Sequence, residues 1–288
     1  MPSLTDTLTQ LGGVATRSEL LAVTSRGAVR RALADGSVHR PRRGRYVLPQ
    51  VDESRRVAHE LSGVVALRSA ALAHGWKVRT VPERPEVIVP RDRTVRTESR
   101  ERALIRRCAL GPREIDGGVT TPLRTVVDCA RHLPFEEALS VADSALRSGA
   151  LRPADLASAA RDVHGAGRTR VLRVLTEADA RAANPFESSL RAIALDVRGL
   201  AVVPQVGIRV AGGVRIVPDL VDVELGLVLE ADSHEFHTGR ARLTSDCWRY
   251  DELLLAGWRV LRFTWEQVMF RQPWVRSVLV RAVVLIGH

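Results

Sequence analysis

Leu4, Leu8 and Leu11 recur at helical spacing, and Gly12-Gly13 follows them as a stop. Thr16 is placed to cap a short second helix that runs through Val23, and Ser25 to cap a third. In that third helix Val29 and Leu33 face inward, while Arg26, Arg30 and Arg31 lie outside; Asp35-Gly36 ends it. Residues 38–48 then alternate as a two-stranded ribbon, with Arg40, Arg42, Arg43 and Arg45 around Gly44. Helix, helix, helix, hairpin is the order of a winged helix-turn-helix. In that arrangement the third helix enters a major groove and the ribbon arginines hold phosphate.

The next stretch reads less clearly. Residues 53–76 look like a helix, 85–89 and 104–109 like short strands, and 120–132 and 136–148 like helices, with more helix to about residue 183. His74 and His132 sit beside apolar residues and read as structural. Asn184-Pro185 marks an expected boundary, because proline biases the residue before it away from helix and suits a helix start. Beyond it the expected order is helix 186–198, strands 201–209, 214–223 and 226–232, helix 240–256, strand 258–263, and a helix from 265 onward. That is an α/β pattern with a mixed sheet.

Charge sharpens the first part of this picture. Of the net +10, residues 1–100 carry 18 basic and 10 acidic side chains, whereas residues 185–288 carry 12 of each. Lys77 is the only lysine. A basic module beside a neutral one points to DNA as a polyanionic partner; the plain alternative is a set of solvated arginine faces. Cys108, Cys129 and Cys247 lack metal-site spacing, so a reducing cytoplasm is the expected compartment. The run 277–286 is too short to span a bilayer, which needs about 20 residues, and no membrane partner is expected.

The candidate chemistry lies in the C-terminal third. With a turn near residues 224–226, Asp219 falls opposite Glu230, and Glu230 and Asp232 share a strand face. Three converging carboxylates repel one another unless a hard cation, Mg²⁺ or Mn²⁺, neutralises them. Such an ion would bind through Asp219, Glu230 and Asp232, activate water and stabilise charge on a phosphodiester. Glu187 on the preceding helix is placed to reach the same end, and His237 to shuttle a proton. Asp222 and Glu224 read as ordinary turn acids, and His234 as a weaker candidate. Arg249 reads either as an ion pair with Asp246 or as a phosphate clamp; Arg262 reads as the partner of a buried acid.

Two resemblances rest on these residues. Pro218-Asp219, Glu230-Ala231-Asp232, His237, Asp246-x-x-Arg249, Gly257-Trp258-Arg259-Val260-Leu261-Arg262 and Trp265-Glu266 resemble, in order, a family related to very-short-patch-repair endonucleases of the PD-(D/E)XK superfamily. The resemblance implies a metal-dependent DNA-cleaving fold, with Asp219 the principal metal ligand and His237 a catalytic histidine. Asp232 stands where the superfamily lysine would be, Ser233 replaces an expected glycine, and no cysteine set matches the repair enzymes' structural zinc.

The N-terminal half resembles AbiEi-type antitoxins. The residues are Gly12-Gly13-Val14-Ala15-Thr16, Glu19-Leu20, Ala34-Asp35-Gly36, Arg43-Gly44-Arg45-Tyr46, Ser69-Ala70-Ala71-x-x-His74-Gly75 and Thr121-Pro122-Leu123-Arg124-Thr125-Val126-Val127-Asp128. That family's winged helix binds promoter DNA.

The expected fold is thus α+β and α/β, multidomain. A winged helix-turn-helix occupies 1–50, a mixed α/β, mostly helical AbiEi-like region with short strands 51–184, and a restriction-endonuclease-like α/β domain with a mixed sheet 185–288. The expected function is DNA binding with Mg²⁺-dependent endonuclease activity. The expected catalytic residues are Asp219, Glu230, Asp232, His237 and Glu187, and the expected DNA contacts Arg26, Arg30, Arg31, Arg40, Arg42, Arg43, Arg45 and Arg249. The alternative is a non-catalytic, antitoxin-like regulator with an inactive nuclease fold. A toxin partner or a homodimer stays open.

Overall fold

The computed structural model of the chain describes residues 4–232 and 240–287, without the side chains of 98, 99 and 240–243. The protein is mixed α/β and divides into two compact units, residues 1–75 with 80–128 and residues 76–79 with 129–288.

The first unit begins with α1 (Leu4–Gln10), β1 (Val14–Thr16), α2 (Arg17–Val23), α3 (Arg26–Ala34), β2 (His39–Arg42) and β3 (Arg45–Val47). Thr16 and Glu19 form the reciprocal cap of α2, and the Ser25 hydroxyl accepts the Ala28 N–H at the start of α3. The strands form an antiparallel sheet in the order β1-β3-β2. Leu8, Ala15, Leu20, Val29, Val38 and Tyr46 share the core beneath it. Strand β1 is an addition to the sequence reading, too short for alternation to reveal. Strand β2 lies at the sheet edge, is exposed throughout and contains Pro41, whose missing N–H an edge tolerates.

A five-stranded mixed sheet follows, of which the sequence suggested two strands, at 85–89 and 104–109, in a mostly helical region. It comprises β4 (Val64–Val65), β5 (Glu86–Val89), β6 (Leu104–Arg107), β7 (Ile115–Asp116) and β8 (Val119–Thr120), in the order β6-β5-β4-β8-β7. Helices α4 (Glu53–Leu61), α5 (Leu67–Ala73) and α6 (Thr97–Arg102) accompany it. The expected helix over 53–76 breaks at Ser62, which is left-handed at φ 56°, and at Gly63. A Cβ on Gly63 would lie 2.6 Å from the Ile88 carbonyl oxygen, so only glycine lets the chain pass β5 here. His74 has the structural place expected of it, half-buried with Nε2 2.8 Å from the Thr120 carbonyl.

The division between the units falls within α7 (Pro122–His132). In the second unit α8 (Phe135–Arg147) is buried along most of its length and packs on α10 (Arg168–Glu177) and α11 (Pro185–Ala194), while α9 (Pro153–Asp162) packs on α10. Asn184 caps α11 with Pro185 in its first turn, as the sequence suggests. The expected domain boundary there nevertheless lies inside this unit. A buried ion pair bridges it: Arg191 Nη2 of α11 donates to both Asp143 oxygens of α8, at 2.8 and 2.9 Å. The Asp179 N–H and the Ser188 hydroxyl complete the carboxylate's shell.

The sheet of this unit contains β9 (Val203–Pro204), β12 (Leu220–Asp222), β13 (Leu227–Asp232) and β14 (Arg259–Thr264), in the order β14-β13-β12-β9. Strand β13 is parallel to β14 and antiparallel to β12, the mixed pattern expected. A separate hairpin pairs β10 (Ile208–Arg209) with β11 (Arg215–Ile216). The two long strands expected before β13 are therefore four short ones: the first is interrupted at Gln205 (φ 55°) and the second at residues 217–219, while the Gly212-Gly213 turn joins β10 to β11. Helices α12 (Arg240–Leu255), α13 (Trp265–Phe270) and α14 (Gln272–Ile286) close the order. The last two were expected as one helix; Arg271 leaves helical geometry (φ −126°, ψ 37°) and separates them, with Pro273 in the first turn of α14. Leu220, Leu227 and Leu229 pack on α11, α13 and α14, while Val221 and Val228 pack with Leu253 of α12 and the β10–β11 hairpin.

Arg191→Met should destabilise the full chain by about 3–5 kcal/mol, because it strands the Asp143 carboxylate in the interior. Arg181→Ala, which removes a largely exposed partner of Asp179, should cost under about 1 kcal/mol. Equal shifts of the two denaturation midpoints would refute this ranking.

Candidate functional site

The β12–β13 register decides where the acids go. Leu220 pairs with Leu229, so the next step along the hairpin sets Asp219 against Glu230. Both lie on the α12 side of the sheet, with Val221 and Val228. The Ala231 N–H donates to Asp219 Oδ2 at 2.8 Å, and the Asp219 N–H reaches Glu230 Oε2 at 3.4 Å. Arg249 of α12 donates from Nη2 to Glu230 Oε1 at 2.7 Å and to the Val217 carbonyl at 2.8 Å. Its described ion pair is thus with Glu230 on the facing strand, in place of the local one with Asp246.

Glu187 approaches from the first turn of α11. It is buried and accepts from the Ala183 N–H, from Asn184 Nδ2 and from Gln205 Nε2 at 2.9, 2.7 and 3.1 Å. Burial, then the charge of Asp219, pushes its pKa to about 7. Burial and the same aspartate push Glu230 to about 8, against the pull of Arg249. Asp219 is also raised by burial, with the Ala231 N–H the first interaction to oppose it. These carboxylates titrate as a group rather than singly.

Sequence reasoning missed Gln205. Its side chain bonds Glu187 and holds Asp219 down, and its N–H donates to the Asp219 carbonyl at 3.0 Å. It occupies a left-handed backbone conformation that costs a non-glycine residue free energy. No periodicity or motif marks such a residue.

Asp232 departs from expectation. It shares the face of Glu230, but a two-residue step displaces it by roughly 7 Å along the strand. There it pairs with Arg262, whose guanidinium lies 4.2 Å from the Tyr250 ring centroid. Arg262 does pair with an acid, but at the surface and not in the core. Asp222 has a structural place: it accepts the Ala201 and Leu225 N–H groups at 2.6 and 3.0 Å. His234 and His237 lie outside the described residues.

No three His, Cys, Asp or Glu side chains among the described residues form a metal-binding group. The donor chemistry still suits a hard cation at Asp219 and Glu230, with Glu187 beside them. All are oxygen donors, and burial is the first cause of their raised affinities for protons, with the Asp219 charge adding to it at Glu187 and Glu230. Asp232 does not fit that set.

The candidate DNA contacts lie in the first unit, Arg249 excepted. Arg26, Arg30, Arg31, Arg40, Arg42 and Arg43 are exposed, and Arg45 is half-buried. Arg26, Arg30 and Arg40, with the unanticipated Arg17, line a cavity of about 220 Å³ floored by Leu20, Val29 and Tyr46. Arg42 Nη1 donates to the Glu60 carbonyl at 3.1 Å. No helix among the described residues is long and apolar enough to cross a membrane.

No protein-family model matches the chain. Two curated relatives, the uncharacterized proteins MT2308 and Rv2248 of two Mycobacterium tuberculosis strains, are each 31% identical over 156 residues. The match covers 54% of this chain and 57% of each relative. The solved structure of the RV2827C protein from Mycobacterium tuberculosis is 15% identical, covering 67% of this chain and 76% of that one, with a TM-score of 0.28. A likeness of that degree carries no argument.

The raised carboxylates fix a sign for pH dependence. Folded Glu187 and Glu230 hold protons up to about 7 and 8, whereas the unfolded chain releases them near 4.5. Their contribution to stability is therefore present at low pH and lost as pH rises between those values. Without divalent metal, the denaturation midpoint should fall from pH 5 to pH 8, and Glu187→Gln with Glu230→Gln should flatten that slope. An identical pH profile for the double variant would contradict the assignment.

Proposed function

We propose that the protein binds DNA through its N-terminal arginines and hydrolyses phosphodiester bonds with its C-terminal unit, using Mg²⁺ or Mn²⁺. The observation that carries the hydrolytic part is the convergence of Asp219, Glu230 and Glu187, the two glutamates buried, around shared hydrogen bonds from Gln205, Ala231 and the Asp219 N–H. A divalent ion there would polarise the scissile phosphate and acidify a bound water. Asp219 and Glu230 would hold it, the Ala231 N–H fixes the Asp219 carboxylate, and Gln205 orients Glu187. Support for DNA binding comes from the order α1–β1–α2–α3–β2–β3 with its β1-β3-β2 sheet, which suits a winged helix-turn-helix. Its α3 and ribbon carry Arg26, Arg30, Arg31, Arg40, Arg42 and Arg43 on exposed faces.

One observation favours the second reading, a non-catalytic regulator whose nuclease fold is inactive. Arg249 already sits on Glu230 and Arg262 on Asp232, so guanidinium groups meet two of the acids that a metal would otherwise meet.

Cleavage of supercoiled and linear DNA with Mg²⁺, Mn²⁺ or EDTA separates these readings. Asp219→Ala should abolish metal-dependent cleavage and leave DNA affinity intact. Binding without cleavage by either protein would select the regulator. Arg30→Ala with Arg40→Ala should lower the slope of log affinity against log salt by about 2. An unaltered slope would remove these arginines from the interface.

A further inference from the structure

A second basic concavity lies in the first unit, beyond the residues that the motifs single out. It has a volume of about 480 Å³, within the range of about 300–1,000 Å³ typical of small-ligand sites. Arg42 of β2, Glu60 at the end of α4, Arg93, Thr94 and Arg96 of the segment before α6, and Arg102 of α6 line it. Four guanidinium groups thus face one carboxylate. Glu60 is engaged by Arg102, Nη1 to Oε2 at 2.9 Å, and its carbonyl by Arg42. The half-buried Arg93 and the exposed Arg96 form none of the described ion pairs.

Neighbouring groups register the excess. Arg45, next to this concavity, is held below the usual guanidinium range by burial and then by the charge of Arg93, with Arg42 adding to it and Glu19 opposing. Like charges gathered around a space of this size cost free energy unless an anion enters. Guanidinium forks match the oxygens of phosphate in pairs, and a threonine hydroxyl adds a donor.

We infer that this concavity binds phosphate groups, with Arg93 and Arg96 as its principal free donors. Two sources present that chemistry: a free oligophosphate, or the backbone of DNA held by the neighbouring ribbon. The DNA source rests on the function proposed above, and the free source does not.

The test uses the full chain, tripolyphosphate as probe, and the variants Arg93→Gln/Arg96→Gln and Arg93→Lys/Arg96→Lys. Unchanged near-ultraviolet circular dichroism confirms that each variant folds. Tripolyphosphate should raise the melting temperature of the wild type saturably. The glutamine variant should lose that shift, and the lysine variant should keep part of it. In mobility-shift titrations, loss of two phosphate contacts should lower the salt slope by about 2. A melting shift in a protein that binds no DNA would uphold the site and sink the DNA reading. A reduced salt slope without a tripolyphosphate shift would assign the site to backbone phosphate. If the glutamine variant matches the wild type in both measurements, the inference is overturned.

Discussion

The pairing of β12 with β13 is the constraint from which the C-terminal unit follows. Side chains alternate along a strand, and this sheet is covered on both faces. Each step of register therefore decides which helix a residue meets. Leu227 and Leu229 meet α11 and α14, whereas Val228 and Glu230 meet α12. Asp222 ties the turn through Oδ1, which accepts the Leu225 N–H, and ties the chain before β9 through Oδ2, which accepts the Ala201 N–H, fixing the register that sets Asp219 against Glu230. A one-residue slip would bury Asp232 among leucines and turn Leu229 toward Arg249. The site's electrostatics thus originate in a strand register, and the register in a turn.

Much of this was legible before any coordinates. Asp219 facing Glu230 follows from a turn position and a period of two, and the cap at Asn184 from a single dipeptide. Legibility failed where geometry lies outside a period. Asp232 shares its face with Glu230 as read, but the distance along the strand and the competing guanidinium of Arg262 send it elsewhere. Gln205 belongs to the site through one left-handed residue, which no pattern announces. Of the second sheet, β5 and β6 are legible in the strands at 85–89 and 104–109, whereas β4, β7 and β8 are two residues long and leave no alternation to read. The break in the 53–76 helix was written in Ser62-Gly63, but its reason is a distant contact with β5.

Arginine is used in two ways, and both occur in each unit: Arg68 and Arg124 meet the buried Glu86 and Asp128 in the first, and Arg152 and Arg181 are exposed in the second. In the second, Arg191 and Arg249 meet carboxylates deep in the fold, and desolvation makes each pair sensitive to the loss of either partner. Of the first unit's arginines, Arg26, Arg30, Arg40 and Arg43 are exposed, where their worth to stability is small and their charge is available to a ligand. Net charge alone does not make this distinction.

The proline within β2 acts at another scale. A two-faced arginine ribbon at a sheet edge presents backbone groups as well as side chains, and an unguarded edge recruits other strands. Pro41 removes one N–H from that edge, and the cations around it repel a second copy of themselves. Growth of the sheet from molecule to molecule is thereby obstructed at β2. The strand can stay fully solvated at high protein concentration and remain open to a partner that approaches through its side chains.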